Sequence, residues 1–176
     1  MEMLKRDQRI RKEQQKKFFA LNKMFPDKKS QNYKKEISKL VKELSSLDRK
    51  HTNRVKKIID KYGWPGKSLV GKQGAHGAWL LVQHATHDID FQKKCLGLLK
   101  KAVGINESER KHTAFLTDRI LILQNKKQIF GTQFRRNKDN QLESFPIKDE
   151  KKIDLMREKM GLESLSKYKK KMKALS

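Results

Sequence analysis

One stretch limits the architecture more than any other. Between residues 32 and 62, Ile37, Leu40, Val41, Leu44, Leu47, Val55, Ile58, Ile59 and Tyr62 recur at intervals of three and four among charged side chains. That period places them on one stripe of a long helix, and the stripe needs a covering partner. His51 falls on the same stripe. Gly63, Pro65 and Gly66 close the helix and open a loop. Upstream, residues 3–24 carry a looser stripe of Leu4, Ile10, Phe18 and Leu21, ended by Pro26-Asp27. The chain therefore opens with two basic helices.

From Gly74 to Lys101 the pattern is helical again, with a break expected near Asp88 to Asp90. Ala75, Ala78, Trp79, Val82 and Ala85 make one apolar face, and Phe91, Cys95, Leu98 and Leu99 continue the spacing. Ser108 to Thr113 reads as a polar connection or a short helix. At Ile120-Leu121-Ile122-Leu123 the period changes to two, and a hairpin turning at Asn125-Lys126 into residues 128–134 is expected. Residues 141–147 suit a third strand, ended by Pro146. Residues 149–160 suit a helix stopped by Gly161, with a Lys-rich helix or tail from Leu162. The fold class is α+β. It is a mostly helical single domain with a small antiparallel hairpin or three-stranded meander in its C-terminal half. Its parts are a basic helical segment 1–62, a motif-bearing core 63–135 and a C-terminal strand, helix and tail 136–176.

The net charge is +24 in 176 residues. Residues 1–60 carry 19 Lys+Arg and 8 Asp+Glu, residues 61–120 carry 10 and 5, and residues 121–176 carry 15 and 7. The excess sits at the two ends. Nucleic acid or another polyanion is the partner class that such Lys-rich ends suit, through salt-sensitive phosphate attraction. Aromatic residues are not interleaved with these cations, which argues against base stacking. One cysteine excludes an internal disulfide and a Cys-rich zinc module. No apolar run is long enough to cross a bilayer, and the charged N-terminus has no signal core, so a cytoplasmic protein is expected.

Gly63-Trp64-Pro65, Val70-Gly71, Trp79 with Gln83-His84-Ala85, Asp88 with Phe91-Gln92, Asp118-Arg119 and Gln128 with Gly131-Thr132-Gln133 follow one another in order. Asp7-Gln8 with Arg11 precede them, and Ile153-Asp154 with Arg157, Gly161-Leu162 and Tyr168 come after. In this ordered set the chain resembles an uncharacterised bacterial family, a domain of unknown function. The resemblance spans nearly the whole chain and implies one domain, with no activity to carry over. The chain departs from the family pattern at His51, where Asn is expected, and at Lys159.

Four constellations could carry chemistry. His84, His87 and Asp88 stand at i, i+3 and i+4, and on a helix they share a face beside Gln83. Two imidazoles and a carboxylate there suit general acid–base work or part of a metal site, and equally a buried hydrogen-bonded scaffold. Asp118-Arg119, read as preceding a strand, can orient an imidazole and clamp a phosphate, or close the strand onto the helices as an ion pair. Gln128 and Gln133 flank Gly131 in the expected strand, where their amides can read a ligand or bond a bulge. Asp7 with Arg11, and Asp154 with Arg157, have helical spacing. They read as scaffold pairs, or as Arg11 and Arg157 entering a pocket.

No phosphate loop, dinucleotide fingerprint, nucleophile elbow or HExxH is present, so neither cofactor nor metal is identified. Two function classes remain. One is a His-based hydrolase or transferase acting on a phosphate-containing or nucleic-acid substrate, with His84, His87, Asp88, Asp118 and Arg119 as catalytic candidates and Gln83, Gln128, Gln133, Arg11 and Arg157 as ligand contacts. The other is a non-enzymatic basic module binding nucleic acid or an acidic protein.

Overall fold

The computed structural model describes residues 2–138 and 141–174. Helix α1 runs Glu2–Met24 and α2 runs Gln31–Tyr62. Ser30 starts α2 by accepting the Tyr33 N–H at 3.3 Å. Gly63, at φ +73°, ends it and donates its N–H to the Ile59 carbonyl at 2.9 Å. Helix α3 spans Lys67–His84, bent at Gly71 (φ +72°), a position that favours glycine. Helix α4 spans Ile89–Gly104 and α5 spans Arg110–Leu123.

These five helices hold the main core of Val55, Ile59, Trp79, Leu81, Val82, Ala85, Phe91, Cys95, Leu99, Leu116 and Ile120. The covering partner that the α2 stripe needs is α1 along one part and α3 along another. Cys95 is wholly buried, and burial pushes its thiol up to about 12, which suits a small packing residue.

The expected hairpin beginning at Ile120 is corrected here. Ile120 to Leu123 form the last turn of α5. Leu116 and Ile120 are buried four residues apart, while Leu123 is substantially exposed. An unbroken apolar run carries no period that separates strand from helix, and burial at i and i+4 decided for the helix. Asn125, at φ +57°, does reverse the chain, but as the end of a helix: the Lys126 N–H reaches the Leu121 carbonyl at 2.8 Å. The strands lie later. β1 (Phe134–Arg136) pairs antiparallel with β2 (Leu142–Ser144), placing Arg135 opposite Glu143. Among the described residues no third strand joins them; an isolated parallel bridge links Gln128 to Ile147.

Helices α6 (Ile153–Lys159) and α7 (Leu165–Ala174) complete the chain around a second, three-residue core of Ile147, Ile153 and Leu165. The molecule is a mostly helical single domain with a two-stranded sheet in its C-terminal half. No described helix is long and apolar enough to cross a membrane.

Candidate functional site

His84 is the last residue of α3, and that placement undoes the shared face expected for His84, His87 and Asp88. Residues 85–88 form a turn between α3 and α4. Asp88 caps α4, accepting the Phe91 N–H at 3.1 Å through one oxygen and Lys56 Nζ at 2.6 Å through the other. These donors hold its carboxyl below the usual range. His87 is exposed in the turn. The spacing is helical only if the helix continues, and an aspartate that caps the next helix ends it. Asp88→Ala is expected to cost about 1 kcal/mol, the usual value of a lost cap, with little added by the solvent-facing Lys56 pair. The shift of the urea midpoint, at unchanged far-UV CD, measures it.

The polar centre lies where α1, α2, the end of α3 and α5 approach one another. Asp7 on α1 is fully buried. It accepts from Gln8 Nε2 at 2.9 Å and Arg11 Nε at 3.0 Å, and its other oxygen faces His51 Nδ1 at 3.2 Å. Arg11 also pairs with Asp48 of α2. Burial raises the Asp48 carboxyl above its ordinary range, against the pull of Arg11. Charges from this group reach His84, which is half-buried and whose ring makes no hydrogen bond among the described residues. Burial first, then Arg11 and Arg119, lower its pKa to about 4, opposed by Asp7. The ring is therefore neutral at pH 7.

Arg119, half-buried on α5, donates Nε to Gln83 Oε1 at 3.3 Å. Among the described residues no carboxylate lies within ion-pair distance of it, and burial lowers its pKa. Gln83 is 3% exposed, and its Nε2 is buried without a partner. The structure thus brings Asp7, Arg11, Gln83, His84 and Arg119 to one region. It adds His51 and Asp48, which sequence reasoning did not single out as site residues.

The remaining candidates bind the loop at 128–133, which is irregular chain and not the alternating strand expected. Asp118 faces this loop from α5. It accepts the N–H groups of Ile129 (2.7 Å), Phe130 (3.1 Å) and Thr132 (3.0 Å) and the Thr132 hydroxyl (2.9 Å). So it orients backbone amides and no imidazole, and it forms no ion pair with Arg119. Burial pushes its carboxyl up while those donors pull it down, and burial prevails.

Gln128, fully buried, donates Nε2 to the carbonyls of Gln133 (3.1 Å) and Phe145 (2.8 Å) and to Ser144 Oγ (3.0 Å). Its Oε1 accepts the Gln133 N–H at 2.9 Å. Gln133 Nε2 reaches Thr132 Oγ1 at 3.0 Å. Arg157 is 1% exposed. It donates to the carbonyls of Phe130 (2.5 Å) and Glu163 (2.7 Å) and lies 4.9 Å from the Tyr168 ring centre. Gly131 (φ +64°) lets Leu165 and Ile147 approach so closely that a Cβ there would sit 2.8 Å from Leu165 Cδ1. The close approach expected at this glycine is made by the protein's own core.

A third group also escaped sequence reasoning. His112 of α5 stacks on Trp79 with ring centres 4.2 Å apart. Its ring nitrogens face Ser108 Oγ and His76 Nδ1, each at 3.2 Å. Burial lowers its pKa to about 4. His76 therefore belongs with His112. Among the described residues no group of three or more His, Cys, Asp or Glu could hold a metal ion.

The two Lys-rich ends do not meet among the described residues: α1 packs on α2 and α3, and α7 on α6 and β2. Comparison with curated proteins and with solved structures finds no match. The family model that does match spans residues 26–175, takes in α2 through α7 and the loop bound by Asp118, and places this chain in DUF6624, a family of unknown function.

Proposed function

We propose that the protein binds a small phosphate-bearing ligand beside Arg119 and uses His84 as the acid–base group of a hydrolase or transferase. Arg119 carries the reading. A half-buried guanidinium with no facing carboxylate is costly, and a ligand anion would supply the missing charge. Gln83 supports it with a buried amide donor that lacks an acceptor among the described residues, and His84 with ring nitrogens that none of those residues occupies.

The chemistry follows from the charges. The neutral imidazole takes the proton of an attacking water or hydroxyl as its oxygen bonds to phosphorus. Arg119 stabilises the phosphoryl oxygens. The bond to the leaving oxygen breaks, and the imidazolium returns the proton to it. An anionic ligand also raises the His84 pKa from about 4 toward neutrality, so the ring gains basicity when substrate is bound.

The test uses inorganic phosphate and p-nitrophenyl phosphate. Phosphate is expected to raise the thermal midpoint of the wild-type protein, and Arg119→Met to weaken that binding about 100-fold at unchanged fold. His84→Ala is expected to keep phosphate binding and lose phosphoester turnover. Unchanged phosphate binding by Arg119→Met sinks the ligand assignment. Turnover surviving in His84→Ala sinks the catalytic one.

A further inference from the structure

A groove of about 540 Å³ runs between α1 and α2, on the side lined by His51, and it is chemically polarised. At one end stand Arg6, Lys50 and Arg54, together with the carboxylate of Glu2. Among the described residues no carboxylate lies within ion-pair distance of those three cations. At the other end stand Gln14, Glu43 and Ser46.

Gln14 is 7% exposed and donates Nε2 to Glu43 Oε2 at 2.6 Å. That carboxylate needs a donor, so it fixes which way the amide points. Gln14 Oε1 is left buried without a partner. A buried acceptor of this kind asks for a hydroxyl or N–H hydrogen. Between the ends lie Ile10 and Leu47. His51 lines the cationic half, and with Nδ1 against Asp7 its Nε2 is the nitrogen left for a ligand. Ser46 to Arg54 is about 12 Å along α2 at 1.5 Å per residue.

We infer that this groove is a second ligand site, for a sugar phosphate or mononucleotide. The phosphate is held by Arg6, Lys50 and Arg54, and the hydroxyls donate to Gln14 Oε1 and Glu43. Anion and hydroxyl donors on one small molecule match the two ends, and an apolar sugar face or base matches the middle. A simple anion would leave Gln14 unsatisfied, and a neutral sugar would leave the cations unpaired. The inference stands apart from the reading of His84 and Arg119.

The ring signals of His51 and His84 in nitrogen-detected NMR of the full chain, compared between the wild type and Arg119→Met, tell the two sites apart. Ribose 5-phosphate, adenosine monophosphate, inorganic phosphate and ribose are titrated separately. Ribose 5-phosphate or the nucleotide is expected to shift the His51 signals and to bind at least tenfold more tightly than phosphate. Whichever binds better names the ligand class. Lys50→Met with Arg54→Met is expected to weaken it at least tenfold, while Arg119→Met leaves it unchanged. Gln14→Leu is expected to erase the preference over inorganic phosphate. Unmoved His51 signals at millimolar ribose 5-phosphate and nucleotide overturn the site, as does undiminished binding in the double variant. Equal affinity for phosphate and the sugar phosphate overturns the role of Gln14. Loss of ligand response in Arg119→Met alone assigns the binding to the His84 region instead.

Discussion

Asp118→Ala is expected to destabilise the protein by about 3–5 kcal/mol, the largest effect of any single polar substitution considered. The carboxylate accepts three backbone N–H groups and one hydroxyl from the 129–132 segment. Without it, each buried donor loses its partner at about 1–3 kcal/mol, and loop relaxation keeps the total below the simple sum. A typical domain has about 5–15 kcal/mol in all. Asp118→Asn keeps one acceptor oxygen and is expected to cost about half as much. Urea unfolding followed by far-UV CD measures both. A loss below about 1 kcal/mol for the alanine variant would show that Gln128 and Arg157 hold the loop without Asp118.

Stability is also expected to fall by several kcal/mol between pH 6.5 and 4. His84 and His112 drop from an ordinary 6.5 to about 4 in the folded protein. The unfolded chain therefore binds those protons first as pH falls. The histidine contribution is complete above pH 6.5, erodes down to about 4 and levels off below. Each unit of displacement corresponds to about 1.4 kcal/mol, reduced at His84 by its contact with solvent. Asp48 and Asp118, raised by burial, take up protons earlier in the folded state and offset part of the loss at the acid end. Urea midpoints from pH 7.5 to 4, compared with those of His112→Asn, isolate one histidine. An equally steep profile in that variant would remove His112 from the account.

The helices were legible where apolar residues kept a period. The stripe from Ile37 to Tyr62 became α2, and the break expected at Asp88 became the turn before α4. Ile120-Leu121-Ile122-Leu123 misled because four apolar residues in a row fit either period, and only Leu116 beneath them fixes the helix. In the site, His84 and Arg119 stood out as uncommon polar residues in apolar segments. The Asp7–His51 contact did not, because 44 positions separate the partners and only the antiparallel packing of α1 on α2 joins them. Gln128 looked like a ligand reader for the same reason that it is a staple. An amide with two donors and an acceptor suits a loop backbone as well as a substrate.

Among the described residues, the second core consists of Ile147, Ile153 and Leu165. At about 1.5–3 kcal/mol for each buried aliphatic side chain, it offers little against the entropy of ordering the segment around it. That segment is held chiefly by what it grasps on the helical body. Arg157 grips the loop that Asp118 anchors, and Tyr168 packs edge-on against Phe115. The C-terminal part therefore behaves as a tethered ligand of the first five helices, bound at the effective concentration that its own linkage sets. A substitution anywhere along the tether changes the fraction of time it is docked, and with it how often Tyr168 meets Phe115.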